Sequence, residues 1–256
     1  MRLASFETAD GRPFAGEVRG DEIVAFTMGE VIDHLDIHRP ADGERFALAD
    51  VTLRAPLQPG TIFGIGLNYA DHAAETGRDA PDAPIVFMKR PSSSAPPNGP
   101  LGVPPAAMRR LDYEGELAIV IGREGAIAGY AIADDLSARD LQGREPQWTR
   151  AKGFDSSCPW GPWITTADEV DPSALSLRTW VNGDLRQDGT TADLIFKPQQ
   201  LVDFLAETCT LAPGDLILTG TPAGVGMAMD PRQFLASGDL VRIEIEQLGS
   251  IEHAIA

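Results

Sequence analysis

The chain has 256 residues and a mass of 27.4 kDa, with 43% hydrophobic and 23% charged residues. That is ordinary for a soluble globular protein and long enough for a sizeable core, in one large domain or one main domain with an appendage. A formal charge of −17 repels phosphate backbones and anionic lipid, so nucleic-acid and membrane-surface binding are disfavoured, while a cation, or an anionic substrate brought in by one, is still accommodated.

Gly 26 and Pro 20 point to many turns and to β-rich structure. Two cysteines, Cys158 and Cys209, are too few and too far apart for a disulfide framework or a CxxC metal knuckle. The N-terminus meets Glu7 without an apolar signal core, and apolar runs such as 117–121 are strand-sized. Together these features lead to the expectation of a cytoplasmic protein.

In chain order, 2–6, 14–18 and 23–27 read as short strands, followed by a short amphipathic helix over 28–35. Pro56, Pro59 and Gly60 mark a linker over 54–60. Residues 61–66 form an apolar strand running into a helix over 68–75. The proline-studded stretch 81–104 holds a strand at 85–89. Apolar strands at 116–122 and 126–133 flank Arg123-Glu124-Gly125. Later strands are 176–181, 216–219 and 241–246. The segment 198–210 is the best helix, with Leu201, Phe204, Leu205 and Thr208 on one face. Strands dominate, and the strand–helix alternation of a parallel α/β sheet is missing. The expected class is α+β, mostly β.

Two carboxylates, Glu114 and Glu116, are spaced to share one face of a strand. On spacing alone they read as a solvated acidic strand end. The following strand ends in Ala133-Asp134-Asp135. A hairpin turning at Glu124-Gly125 puts Glu114 opposite Asp135 on the same face, and a slip of one residue would reverse that. Three converging carboxylates suit a hard cation, Mg²⁺ or Mn²⁺, with positions open to water or substrate.

His72 and Glu75, three apart, face each other on a helix, and a histidine oriented by a carboxylate can be a general base near neutral pH. In isolation the pattern reads first as a surface helix with one histidine. A di-metal pair would need a counterpart on a second helix, which is not found. His34, His38 and His253 carry no motif. Lys89, Lys152 and Lys197 are the only lysines. Lys152 lies in a small-residue segment where it meets a bound carboxylate or simply faces solvent. Cys158 fits no cysteine-hydrolase signature and reads as a small buried thiol. The glycine-rich loop 219–226 lacks the Lys-Ser/Thr of a P-loop, and Tyr69 stands where a dinucleotide fingerprint starting at Gly64 needs its third glycine. Nucleotide binding is therefore rejected. The loop instead offers backbone N–H groups and the Thr221 hydroxyl to a small anion. Trp148, Trp160, Phe154 and Met88 are candidate pocket walls, and equally core residues.

The stretches GIGLNYADHAAE (64–75), DYEGELAIVIG (112–122), GYAIADDLSARDLQ (129–142), KGFDSSCPWGPW (152–163), VNG (181–183) and LTGTPAGVG (218–226), in this order, resemble the fumarylacetoacetate hydrolase family. The resemblance covers about residue 57 to the end. It implies a mixed β-sandwich or β-roll catalytic domain over 57–256 behind a small β-rich N-terminal domain over 1–56, in a homodimer. It implies that Glu114, Glu116 and Asp135 ligate Mg²⁺ or Mn²⁺. It also implies that His72 and Glu75 are the lid dyad, and that Arg139, Gln142, Lys152 and Thr221 contact a small 2-oxo acid. Two features depart from the family pattern. The link from Gly122 to Gly129 is shorter than usual, and Asp134 stands where asparagine is common. The activity expected is hydrolysis of a C–C bond in acylpyruvate-type 2,4-dioxo acids. The cation stabilises an enolate, and the His–Glu dyad activates water, with Lys152 also catalytic. Oxaloacetate decarboxylation and enol–keto isomerisation in aromatic-acid catabolism use the same site, and a metal-dependent binding protein without turnover is the reading from another class.

Overall fold

The computed structural model describes residues 1–37 and 39–256. His38 lies outside the described residues. No described helix is long and apolar enough to cross a membrane.

The strand Gly115–Ile121 explains the architecture. All seven of its residues are buried, so both faces need a cover. Leu117, Ile119 and Ile121 point into the largest core, where they meet Leu177, Val181, Val241, Ile243 and Ile245 of a second sheet. Ala118 and Val120 point the other way, against Leu3, Val24, Val31 and Leu35. This alternation is what a strand with period two makes of an unbroken apolar run.

The larger sheet has twelve described strands. Its main path runs Arg45–Ala47, Glu22–Ala25, Pro13–Arg19, Arg2–Thr8, Cys158–Thr166, Ile127–Asp134, Gly115–Ile121, Leu216–Leu218, Ile62–Gly66, Ile85–Lys89. Leu216–Leu218 and Ile62–Gly66 pair in parallel, and the other neighbours on this path are antiparallel. The second sheet has five strands, in the order Asp184–Thr190, Ser176–Val181, Leu240–Ile245, Gly249–Ile255, Asn98–Leu101. The two sheets enclose the main core, and the helix Pro198–Ala206 closes it with Leu201, Val202 and Leu205. The fold is mostly β, with an N-terminal β region ahead of the larger C-terminal part. The N-terminal strands join the main sheet through Arg2↔Thr165 and Leu3↔Ile164 and keep a small core of their own around Phe6, Val18 and Ile23.

Most expected strands are present within a residue or two. The helices are shorter, at Val31–His34, Ala70–Glu75 and Pro198–Ala206. The strand Cys158–Thr166 has no counterpart in the sequence reading because Pro159, Gly161 and Pro162 look like breakers. It nevertheless sits mid-sheet between Arg2–Thr8 and Ile127–Asp134. Pro162 falls where the pairing shifts register between Tyr130 and Ile132, so it interrupts no regular ladder there.

Candidate active site

The site grows out of one hairpin. Its turn is Arg123–Gly125, with Glu124 and Gly125 both left-handed (φ 56° and 74°). The ladder runs from Val120↔Gly129 back to Gly115↔Asp134, and one step beyond it Asp135 N–H donates to the Glu114 carbonyl at 2.9 Å. Glu114 thus stands opposite Asp135, as the turn position implied. Glu114, Glu116 and Asp135 are buried, and their oxygens come within 4.8 Å of one another. Asp134, the next residue along, faces the opposite way. Its carboxylate accepts from Glu114 N–H at 2.8 Å and lies 3.0 Å from His253 Nε2 on the second sheet.

Three cations hold the cluster. Lys152 Nζ bridges Glu114 and Asp135, at 2.6 Å to each. Lys89 Nζ donates to Asp135 at 2.6 Å and to the carbonyls of Ser157 and Lys152. Arg139 Nε donates to Asp112 at 2.8 Å, and its other arm lies 2.6 Å from Glu114. Burial alone would raise the Glu114 carboxyl, but Lys152 and Arg139 overcome that and hold it well below the usual carboxylate range. For Glu116 the pull of Lys152 is outweighed. Burial, then the charges of Asp135 and Glu114, push it well above that range. Its one compensating bond comes from Gly220 N–H at 2.6 Å.

The buried charges do not balance. At the site Asp112, Glu114, Glu116 and Asp135 face Lys89, Lys152 and Arg139, so carboxylates outnumber cations, and among the described residues Glu116 has no ion-pair partner. Buried carboxylates need pairing or a metal. An all-oxygen donor set with that deficit fits one hard divalent cation.

Above the cluster lies the helix Ala70–Glu75. His72 Nδ1 is 2.7 Å from Glu75 Oε1, and Glu75 Oε2 accepts from Gly224 N–H at 2.9 Å. Asn68, fully buried, anchors the helix entry by bonding Phe196 N–H, the Phe196 carbonyl and the Thr219 carbonyl. The glycine loop does hold anions, but they are the chain's own carboxylates: Glu116 at Gly220, Glu75 at Gly224 and Asp112 at Gly226. Gly220 is left-handed (φ 97°), and a Cβ there would come within 2.8 Å of Asn68 Cβ. The Thr221 hydroxyl is likewise committed, donating to the Gly115 carbonyl at 2.9 Å and accepting from Gln187 at 2.6 Å.

A cavity of about 180 Å³ is lined by His72, Glu114, Glu116, Arg139, Gln142, Lys152 and Thr221, seven of the nine residues singled out from the sequence. Asp135, wholly buried, lies beneath Lys152, and Glu75 stands behind His72. Of the four aromatic or Met wall candidates, Trp148 lines the cavity. Trp160 is fully buried, Phe154 packs against the main core, and Met88 is half exposed. Phe87 takes the place expected of Met88, because alternation along Ile85–Lys89 turns Phe87 and Lys89 to the site and Met88 outward. Cys158 is fully buried and its thiol is pushed up to about 12, chiefly by burial, so it is no nucleophile. Sequence reading missed Lys89 and Gln187. The signal for Lys89 was its place at the end of an apolar strand in a chain with three lysines.

A two-sheet, mostly β fold with a buried carboxylate cluster on its central hairpin, roofed by a His–Glu helix, defines the class. The chain belongs to the fumarylacetoacetate hydrolase family: residues 61–256 match the family's "Fumarylacetoacetate (FAA) hydrolase C-terminal" region. It is 41% identical to the mitochondrial oxaloacetate tautomerase fahd2 of Xenopus laevis, covering 81% of this chain and 69% of that one. Among solved structures it resembles the 2-hydroxyhepta-2,4-diene-1,7-dioate isomerase of Mycobacterium marinum (36% identity, TM-score 0.83, 100% and 98% covered). It also resembles the maleylpyruvate hydrolase of Sphingobium sp. SYK-6 in complex with manganese(II) and pyruvate (32% identity, TM-score 0.77, 100% and 99% covered). These relatives are tautomerase, isomerase and hydrolase, and the chain is an enzyme of their family with a buried acidic site suited to a divalent cation.

Proposed function

We propose that the protein is a Mg²⁺- or Mn²⁺-dependent enzyme that interconverts the enol and keto forms of a small 2-oxo acid of the oxaloacetate type. The carrying observation is that His72, backed by Glu75, lines the same cavity as Glu114 and Glu116 of the carboxylate cluster. Sequence identity of 41% with an oxaloacetate tautomerase over 81% of the chain supports the choice of reaction.

Glu114, Glu116 and Asp135 would hold the cation, which supplies Lewis-acid stabilisation of negative charge on the substrate's 2-oxygen. Glu75, fixed by Gly224 N–H, accepts from His72 Nδ1–H and so leaves Nε2 as the proton carrier. Nε2 takes the proton from the substrate's C3 and delivers it to the 2-oxygen to give the enol, and carries it back from the 2-oxygen to C3 in the reverse direction. Lys152 keeps Glu114 ionised, and Lys152 and Lys89 hold the Asp135 carboxylate in place. Arg139 is positioned by Asp112 and in turn orients Gln142, whose amide Oε1 accepts from it at 3.0 Å. Gln142 and Thr221 complete the wall that receives the substrate.

Cleavage of an acylpyruvate-type C–C bond is the second reading. It is favoured by similarity to a hydrolase whose structure contains pyruvate, the product such cleavage would leave. The same His72 Nε2 would then take a proton from water. The test is an assay of the Mg²⁺- and Mn²⁺-loaded chain on enol-oxaloacetate and on acetylpyruvate. Accelerated loss of the enol absorbance without acetylpyruvate cleavage is expected, and His72→Ala should lose about 10²–10⁴ of that rate. Cleavage of acetylpyruvate with no effect on the enol would move the assignment to the hydrolase. No turnover of either would leave a binding protein.

A further inference from the structure

The cations that line the cavity differ in how they are used. Arg139 is spent on Asp112 and Glu114, and Lys152 on Glu114 and Asp135. Arg78 is spent on nothing. It lines the same cavity, and among the described residues its guanidinium has neither a carboxylate partner nor a hydrogen bond.

Arg78 is also held in place. The helix Ala70–Glu75 ends in left-handed Gly77 (φ 70°), Gly77 N–H donates to the Ala74 carbonyl at 3.0 Å, and Arg78 N–H donates to the Ala73 carbonyl at 2.9 Å. These two bonds close the helix end as a Schellman motif. The Thr76 hydroxyl adds a bond to the His72 carbonyl at 3.0 Å. The Arg78 backbone is therefore fixed to the end of the same helix that carries His72 and Glu75. The rings of Phe87 and Trp148, edge to face at 5.5 Å, line the same cavity. Such walls cannot solvate a negative charge, whereas a guanidinium presents a planar fork of donors matched to a carboxylate.

We propose that Arg78 binds the distal carboxylate of a dicarboxylic 2-oxo acid and so selects diacids over monoacids at this site. The proposal rests on the 2-oxo-acid reading above and adds to it the residue that reads the far end of the substrate. The C1 end belongs to the floor of the cavity, and Arg78 is the one unpaired cation among the described lining residues to receive a second charge. Without it, that charge would meet the rings of Phe87 and Trp148 in a strongly acidic protein.

The test compares two acids with the same four-carbon skeleton, oxaloacetate and 2-oxobutyrate, which differ by a terminal carboxylate against a methyl. Their binding to the Mg²⁺-loaded full chain is read from tryptophan fluorescence, Trp148 being in the cavity wall. The parent should prefer oxaloacetate by about tenfold or more, the scale of a hydrogen-bonded charge pair. Arg78→Gln should abolish that preference and leave 2-oxobutyrate binding unchanged. Arg78→Lys should keep part of it, as a point charge without the fork. If Arg78→Gln keeps the parent's preference, or weakens both acids equally, the proposal is overturned while the 2-oxo-acid reading stands. If the parent binds neither acid, that reading falls and the proposal with it.

Discussion

Asp134 and Asp135 are neighbours in sequence, both fully buried, and their surroundings differ completely. Asp134 faces the second sheet, where Glu114 N–H and His253 satisfy its oxygens. Asp135 faces the cavity floor among Glu114 and Glu116, where even two lysines leave the cluster short of positive charge. A strand puts successive side chains on opposite faces, so one backbone can carry a closed structural pair and an open binding cluster side by side. What separates structure from function here is whether the buried charge is already answered by the protein, not how deeply it is buried.

That contrast makes the two faces respond differently to substitution. Lys89→Met strips Asp135 of a buried partner and should cost the most, about 3–5 kcal/mol in chemical denaturation without metal. Added Mn²⁺ should restore part of that loss. His253→Ala on the other face should cost less, about 1–3 kcal/mol, and leave Mn²⁺ affinity as in the parent, checked by calorimetry. Glu116→Gln should have the opposite sign. It keeps an acceptor for Gly220 N–H and removes a charge that burial, Asp135 and Glu114 all oppose. The metal-free Tm should rise by about 2–4 °C, the shift that ~1 kcal/mol gives in a chain of this size, while the further rise on adding Mn²⁺ disappears. Asp134→Asn should change Mn²⁺ affinity least of all, because its side chain does not face the cluster. A large loss there would break the contrast between the faces.

Much of the hairpin was legible because its information is local. A Glu-Gly turn between two apolar runs fixes the register, and the register fixes which carboxylates share a face; Gly115↔Asp134 through Val120↔Gly129 follow it. The His72–Glu75 spacing was legible for the same reason, since both lie on one short helix. The parts that were not legible depend on distant partners. Lys89 reads as the polar end of a strand until folding brings it to Asp135, 46 residues away. His253 carries no motif because its partner lies 119 residues back. The strand Cys158–Thr166 hides behind prolines that only its neighbours' irregular register can absorb. The glycine loop was read as an anion site for a ligand, and it took the fold to bring Glu75, Asp112 and Glu116 to its N–H groups.

The cluster of Glu114, Glu116 and Asp135 is arranged to hold one divalent ion. Titrating the metal-free protein with Mn²⁺ and following the free-ion signal by electron paramagnetic resonance tests this without any substrate. One site per chain is expected, lost in Glu116→Gln and retained in His253→Ala. A titration in which the signal tracks that of buffer, or in which Glu116→Gln binds as the parent does, would contradict it.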